Sequence, residues 1–210
     1  GMPMKLDRCV SELAKEAERV RRDLHKIPET GYSERKTQAY ILDYLSKLSP
    51  DSMEKIADTG VKAVFYANEP TETLAFRADI DGLATQEMTE LPFESTHIGR
   101  MHACGHDGHM TVLLLFASLV SRSREQLKYN IVLLFQPAEE AIGGAARMID
   151  DGAMEGVDAV VGLHVDTNLL QGQLGFRVGP VMAAADRFTI TIHGQGCHAA
   201  HPEKGVDAIV

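Results

Sequence analysis

The chain has 210 residues, 44% hydrophobic and 24% charged, which suits a globular domain and excludes a disordered or fibrous protein. Its formal net charge of −9 argues against partners such as nucleic acid or an anionic membrane surface. The sequence has no apolar run of about 20 residues that could span a membrane and no basic-then-apolar leader at its first residues, so we expect a cytoplasmic protein.

The first 50 residues predict two amphipathic helices. Apolar residues recur every three or four positions over residues 6–27, which is the period of a helix with one buried stripe. A second helix is predicted for residues 33–48, with Ser33 as its N-cap.

Short runs typical of β-strands follow, at residues 61–67, 73–78, 130–135 and 157–163. Helical patterns at residues 111–121 and 145–149 lie between them, and this alternation predicts an α/β fold. The run 131–135 is apolar at every position, as expected of a central strand. We therefore predict a mostly parallel sheet covered by helices, with reactive groups beyond the carboxyl ends of its strands.

The pattern changes near residue 180. Residues 187–193 alternate between polar and apolar, which predicts a strand with one wet face, and residues 205–210 resemble the first turn of an apolar helix. We therefore predict one domain over residues 1–180 and the start of a smaller α+β domain over residues 181–210.

The strongest chemical signal is the segment 102–109, which holds three imidazoles, a thiol and a carboxylate. If the backbone is extended here, the side chains of Cys104 and His106 point to the same side and could bind a metal together. His102 and His109, taken singly, are more typical of structural or supporting residues. The alternative interpretation is a polar loop with helix-capping side chains.

Acids and an imidazole follow three other predicted strands. Glu139 and Glu140 come after the strand ending at residue 135, and one could bind a cation while the other deprotonates a water. His164 closes the run 159–163, and Asp79 and Asp81 follow the strand 73–78. Each alone has an ordinary explanation: a solvated surface pair, a satisfied core histidine or a capped turn. Their shared place at strand ends favours one metal-dependent centre.

Six motifs carry a resemblance to a known family: RRDLHKIPETGYSE at residues 21–34, FRADIDGL at 76–83, MHACGHDGHM at 101–110, LLFQPAEE at 133–140, GLHV at 162–165 and GPVMAAADRF at 179–188. The sequence resembles the amidohydrolase branch of the aminoacylase and carboxypeptidase-type dinuclear metallopeptidases. This branch includes hippurate hydrolases, N-acyl-amino-acid deacylases and auxin-conjugate hydrolases.

The resemblance implies hydrolysis of the amide bond of an N-acyl amino acid. It implies two divalent metal ions, which could be zinc, manganese, nickel or cobalt, with ligands in this chain at Cys104, His106, Glu140 and His164. Glu139 corresponds to the general base, and Asp81, or less well Asp79, corresponds to the acid that supports a ligand. His198 is similar to a histidine that the smaller domain lends to the partner subunit, which implies a homodimer through a lid or dimerisation domain.

Three departures from the family pattern accompany this match. Cys197 stands where the family usually has a glycine, and His201 precedes Pro202 in an altered motif. The family chain is also nearly twice as long, with another metal-binding histidine in its carboxyl-terminal part. These residues are therefore expected to be a fragment, a truncated product or only the ordered part of a longer chain. Two alternatives stay open: a truncated, catalytically inert metal-binding homologue, and a thiol hydrolase with Cys104 as nucleophile and His106 as base.

Overall fold

The computed structural model describes residues 6–141, 143–182 and 188–210, and it divides into two compact units, Gly1–Asp166 and Thr167–Val210. The predicted boundary at residue 180 stays a prediction. The first unit contains these helices and strands: α1 (Leu6–His25), α2 (Arg35–Ser46), β1 (Ser52–Ile56), β2 (Gly60–Phe65), β3 (Thr73–Asp79), α3 (His106–Arg122), β4 (Asn130–Gln136), α4 (Gly144–Asp150) and β5 (Ala159–Gly162). In the described ranges, no helix combines the length and the apolar character that crossing a membrane requires.

The five strands form one mixed sheet in the order β1-β2-β4-β3-β5. β3 is parallel to both β4 and β5, whereas β2 is antiparallel to both β1 and β4. Four of the five strands in the described part of the chain therefore run in the same direction. The predicted α/β fold with a mostly parallel sheet covered by helices is confirmed.

The core has two layers because β4 is buried on both faces. Ile131, Leu133 and Phe135 pack on one side with apolar residues of α1, α2 and α3. Val132 and Leu134 face the other side, where α4 covers the sheet. This alternation explains why the strand is apolar at every position, as the sequence indicates.

The predicted N-cap of α2 is wrong. The helix begins at Arg35, and the Ser33 carbonyl accepts a hydrogen bond from the Arg35 N–H. The carboxylate of Glu29 accepts the N–H groups of Lys36 and Thr37, at 3.1 and 2.7 Å. Glu29 therefore caps the helix in place of Ser33, because its longer side chain reaches two free N–H groups of the first turn.

The sequence patterns did not predict β1. Ser52–Ile56 alternates poorly, and four of its five side chains are not buried. It forms because it pairs with β2 across a tight connection, from Ser52 opposite Val64 to Ile56 opposite Gly60. Backbone pairing rather than burial places this edge strand.

Two predictions for the second unit are wrong. Residues 188–193 are not a strand, and residues 205–210 are not a helical turn. Arg187, the first residue of the predicted strand, lies outside the described residues, as does the rest of the segment 183–187. A lone alternating segment gains little without a ladder, and the pairing described in this unit is one bridge between Gln195 and Val206. The lid or dimerisation role stays a prediction.

Candidate metal centre

The predicted site residues of the first unit lie at one edge of the sheet. Asp79 ends β3 and Asp81 follows it, while Glu139 and Glu140 follow the end of β4. His164 comes two residues after β5. Because β3, β4 and β5 are parallel, their carboxyl ends bring these side chains to the same place.

Cys104 and His106 reach this edge from the start of α3. The backbone here is not extended, because Gly105 has a φ of 90° and His106 is the first residue of the helix. Glycine adopts this left-handed conformation without the steric cost that other residues have. The resulting turn, rather than strand alternation, directs the thiol and the imidazole to the same side.

His106 is the centre of the cluster. Three sets of possible ligand atoms each lie within 4.8 Å of one another: Cys104, His106 and His164; His106, Glu139 and Glu140; and Asp79, His106 and His109. The Sγ of Cys104 lies 3.4 Å from the Nε2 of His164. The Nε2 of His106 lies 3.8 Å from Glu140 Oε1 and 3.9 Å from Glu139 Oε2.

Asp81 links His106 to the turn after β4. Its Oδ1 lies 3.4 Å from the Nδ1 of His106, and its Oδ2 accepts the N–H of Glu140 at 2.9 Å. A carboxylate against Nδ1 leaves Nε2 directed at the cluster, which is how supporting carboxylates orient metal-binding histidines. This contact fits the supporting role that the resemblance implies for Asp81.

The cluster contains more negative groups than its protein surroundings neutralise. Burial, the Glu140 carboxylate and other acids raise the pKa of the Cys104 thiol to about 12. Burial and the charge of Glu140 also raise the pKa of Glu139. Burial would lower the pKa of His106, but the neighbouring carboxylates of Asp81, Asp79 and Glu139 raise it overall. A cation at this position would relieve this repulsion.

The residues fit a transition metal. The Nε2 of His106 is buried without a hydrogen-bond partner, and the contact of Nδ1 at this site is the one with Asp81 Oδ1 at 3.4 Å, so Nε2 is available to a metal ion. Sulfur, imidazole nitrogen and carboxylate oxygen together suit zinc and its neighbours in the first transition series. Zinc, manganese, nickel and cobalt all accept these ligand types.

His198, the remaining predicted site residue, lies in the second unit. Its Nδ1 accepts a hydrogen bond from the Ala200 N–H at 3.1 Å. The role implied for it by the resemblance stays a prediction.

The motif at residues 21–34 contains a buried acid, Glu34, for which the sequence alone predicted no role. This side chain is fully buried, accepting the Thr59 hydroxyl at 2.6 Å and the Ala138 N–H at 2.8 Å. Ala138 has a φ of 51°, a left-handed conformation that is uncommon outside glycine. Glu34 therefore holds the strained turn that presents Glu139. Its sequence neighbours Ser33, Arg35 and Lys36 are polar or charged, so the local pattern gave no signal of this burial.

Replacement of Glu34 tests whether this turn needs its charge. Burial raises the pKa of Glu34, although hydrogen bonds from Thr59 and Ala138 oppose the shift. The folded state therefore holds the Glu34 proton more tightly than the unfolded state does. As a result, the free energy of unfolding falls as pH rises from the unfolded pKa of this carboxyl through its folded pKa. In metal-free buffer at pH 7, we expect the free energy of unfolding of Glu34→Gln to equal that of the wild type or to exceed it by up to about 1 kcal/mol. We expect Glu34→Leu to lower the free energy of unfolding by about 2 kcal/mol.

Urea denaturation at pH 4 and pH 7 measures both variants. The amide retains an acceptor for Ala138, whereas leucine leaves that N–H and the Thr59 hydroxyl unpaired. A Glu34→Gln protein as unstable as Glu34→Leu at pH 7 would show that the turn requires the carboxylate charge itself.

The chain matches one family model and is similar to curated deacetylases and amidohydrolases. The model of peptidase family M20/M25/M40 matches residues 75–209. The chain is 44% identical over 201 residues to N-acetyl-L-cysteine deacetylase of Bacillus subtilis (strain 168), covering 96% of this chain and 48% of that protein. It is 40% identical over 205 residues to N-acyl-L-amino acid amidohydrolase of Geobacillus stearothermophilus, covering 97% of this chain and 55% of that protein.

A solved structure supports the same relationship. The Bacillus subtilis protein YXEP, described as a dinuclear metal-binding peptidase of the M20 family, matches with a TM-score of 0.72 and 37% identity. The match covers 76% of this chain and 45% of that one. The chain thus spans about half the length of the curated relatives it matches.

Proposed function

The chain belongs to peptidase family M20/M25/M40, and from this premise we propose that it supplies the metal-binding part of a hydrolase that cleaves the amide bond of N-acyl amino acids. The observation that carries this proposal is the convergence of a thiol, two imidazoles and two adjacent carboxylates at the carboxyl ends of β3, β4 and β5. The names of the deacetylase and amidohydrolase relatives support the substrate class.

Four residues would hold two divalent ions: Cys104, His106, Glu140 and His164. Bound zinc, manganese, nickel or cobalt would supply Lewis acidity and a lower pKa for a nearby water. The interaction between the Cys104 thiol and the Glu140 carboxylate supports the assignment of both side chains as ligands.

Glu139 is the residue that moves the proton. Its side chain is 41% exposed, so water and substrate reach it, and its raised pKa makes it a better acceptor than an ordinary carboxylate. The carboxylate takes a proton from the attacking water as the carbon–oxygen bond forms. It returns this proton to the amine nitrogen as the carbon–nitrogen bond breaks, which leaves a carboxylic acid and a free amino acid.

The remaining roles concern orientation and assembly. Asp81 orients His106 through its Nδ1, and Asp79 lies 3.6 Å from the other ring nitrogen. We propose that His198 of the second unit acts across a homodimer interface and stabilises the oxyanion, as the family resemblance implies. The homodimer and a cytoplasmic location stay predictions.

The thiol hydrolase is the weaker alternative. Cys104 lies against His164 rather than the predicted base His106, and a thiol with a pKa of about 12 is protonated at neutral pH. A nucleophilic cysteine requires the opposite, a thiol pKa near or below neutrality.

Metal removal tests the proposed function. We expect the intact protein to release free amino acid from N-acetyl and N-benzoyl amino acids, to lose this activity when a chelator strips its metal, and to regain it with added zinc, manganese, nickel or cobalt. Amine release and elemental analysis measure the two quantities.

Thiol alkylation of the metal-loaded protein provides the comparison. Activity that survives the chelator but not alkylation would establish the thiol hydrolase instead. Bound metal without hydrolysis of any substrate in the panel would establish the inert homologue.

A further inference from the structure

The ligand His164 lies on a segment without regular secondary structure, residues 163–166. Its Nδ1 donates a hydrogen bond to the Val165 carbonyl at 2.7 Å, and its Nε2 faces the Sγ of Cys104 at 3.4 Å. The imidazole is therefore oriented by the backbone of the next residue. Its position in the cluster depends on what holds the Val165 backbone.

His109 holds that backbone. The Val165 N–H donates to the Nε2 of His109 at 2.9 Å, so the ring proton is on Nδ1, which donates to Asp79 Oδ1 at 2.6 Å. His109 is 2% exposed, and its ring stacks edge-on to His164 with centroids 4.6 Å apart. Because both nitrogens are engaged, His109 has no free lone pair for a metal ion.

The other end of this arrangement is fixed to the sheet. Asp79 ends β3 and is 1% exposed, and its Oδ2 accepts the Arg77 guanidinium at 2.9 Å. The Nε of Arg77 donates to Gln136 Oε1 on β4 at 2.8 Å. Both carboxylate oxygens of Asp79 therefore accept hydrogen bonds, Oδ2 from Arg77 and Oδ1 from His109.

Val165 also packs on the turn that carries the other ligands. A Cβ added to Gly105 would overlap the Cγ2 of Val165, whereas one added to Gly108 would lie 4.0 Å from its Cγ1. The side chain of Val165 therefore lies directly against the bend between Cys104 and His106. Its N–H and its methyl groups are held by the same short segment, residues 105–109.

We propose that His109 is a positioning residue that holds His164 in the metal centre through the backbone of Val165. The proposal rests on the proposed role of His164 as a ligand. It assigns a role to the last histidine of the segment 102–109 that is distinct from metal binding. Loss of such a supporting contact lowers metal affinity by about 10–100-fold in other metal sites.

A double-mutant cycle on cobalt binding tests this proposal. The intact protein, stripped of metal, is titrated with Co²⁺, and the sulfur-to-cobalt absorption band reports binding at Cys104. We expect His109→Phe to raise the Kd for Co²⁺ by about 10–100-fold. In the His164→Ala background, His109→Phe should change the Kd by no more than about twofold, because the residue it positions is gone.

Control variants separate this effect from a general one. His97→Phe makes the same change at a histidine that contacts Lys36 and the Pro28 carbonyl, and its Kd should equal that of the wild type. His109→Gln keeps an acceptor for Val165 and a donor for Asp79, so its loss should be smaller. If His109→Phe does not fold, the loss in His109→Gln must likewise disappear with His164→Ala.

Two results would overturn the proposal in distinguishable ways. An equal loss of affinity from His109→Phe with and without His164 would show that His109 acts independently, as a ligand or through the fold. An unchanged Kd in His164→Ala would show that His164 is no ligand, which removes both the positioning role and the proposed metal set.

Discussion

Glu139→Gln is expected to lower kcat for an N-acyl amino acid by about 10²–10⁴-fold, with metal content equal to that of the wild type. The amide is nearly isosteric with the carboxylate but cannot accept a proton from water. Glu139 is not one of the four proposed ligands, so the substitution leaves the metal-binding side chains in place. Steady-state kinetics and elemental analysis measure the two effects.

Glu140→Gln is the matched comparison for this prediction. The two glutamates are adjacent, and their carboxylates lie at nearly equal distances from the His106 Nε2, 3.9 and 3.8 Å. We expect Glu140→Gln to lose metal affinity, and to recover activity partly at high metal concentration. Recovery of Glu139→Gln under the same conditions would reverse the two assignments.

His25→Phe is expected to lower the free energy of unfolding by about 3–5 kcal/mol at pH 6. His25 is buried, with Nδ1 2.8 Å from Asp107 Oδ2 and Nε2 3.0 Å from Glu87 Oε1. Arg21 donates to the same Asp107 oxygen at 2.8 Å. Phenylalanine would keep the ring volume but leave two buried carboxylates without this partner.

The pH dependence of this loss identifies its cause. The Asp107 hydrogen bond, with help from Glu87, raises the pKa of His25 despite burial, and the pKa values of Asp107 and Glu87 are lowered despite burial. The His25 contribution is complete below its unfolded value, 6.5, and declines as pH rises through its folded pKa. The carboxylate contributions are present above their unfolded values, 3.8 and 4.5.

Urea denaturation at pH 6 and pH 9 therefore gives a clear test. The difference in stability between wild type and His25→Phe should be larger at pH 6. The nearby His102 does not interfere, because burial lowers its pKa to about 4 and keeps it neutral at both pH values. His97→Phe serves as the control, and an equal His25→Phe loss at both pH values would contradict a charged imidazole.

Periodicity predicted the elements that are long or buried. β4 was predicted because burial on both faces requires an apolar residue at every position, and α1 because its stripe repeats over 20 residues. β1 was not, since an edge strand is specified by backbone pairing with its neighbour rather than by side-chain burial. Ser33 failed as a cap because a side chain further away, Glu29, competes for the same N–H groups.

The candidate site was predicted through chemical type and place, not through conformation. Strand ends indicated which acids and imidazoles would meet, because parallel strands share an edge. Glu34, His25 and His109 make their supporting contacts with Ala138, Asp107 and Val165. These partners lie 104, 82 and 56 positions further along the chain, respectively. Sequence patterns carry no information about such pairs until the fold places them together.

The first turn of α3 performs two tasks with neighbouring residues. His106 faces the ligand cluster, while Asp107 faces His25 and Arg21 on α1. Cation binding and the packing of α1 therefore both require this turn to be folded. By thermodynamic linkage, an ion that binds only the folded turn stabilises the folded state by an amount set by its concentration relative to its Kd. Damage to the α1 contact lowers the apparent ion affinity to the extent that it unfolds this turn.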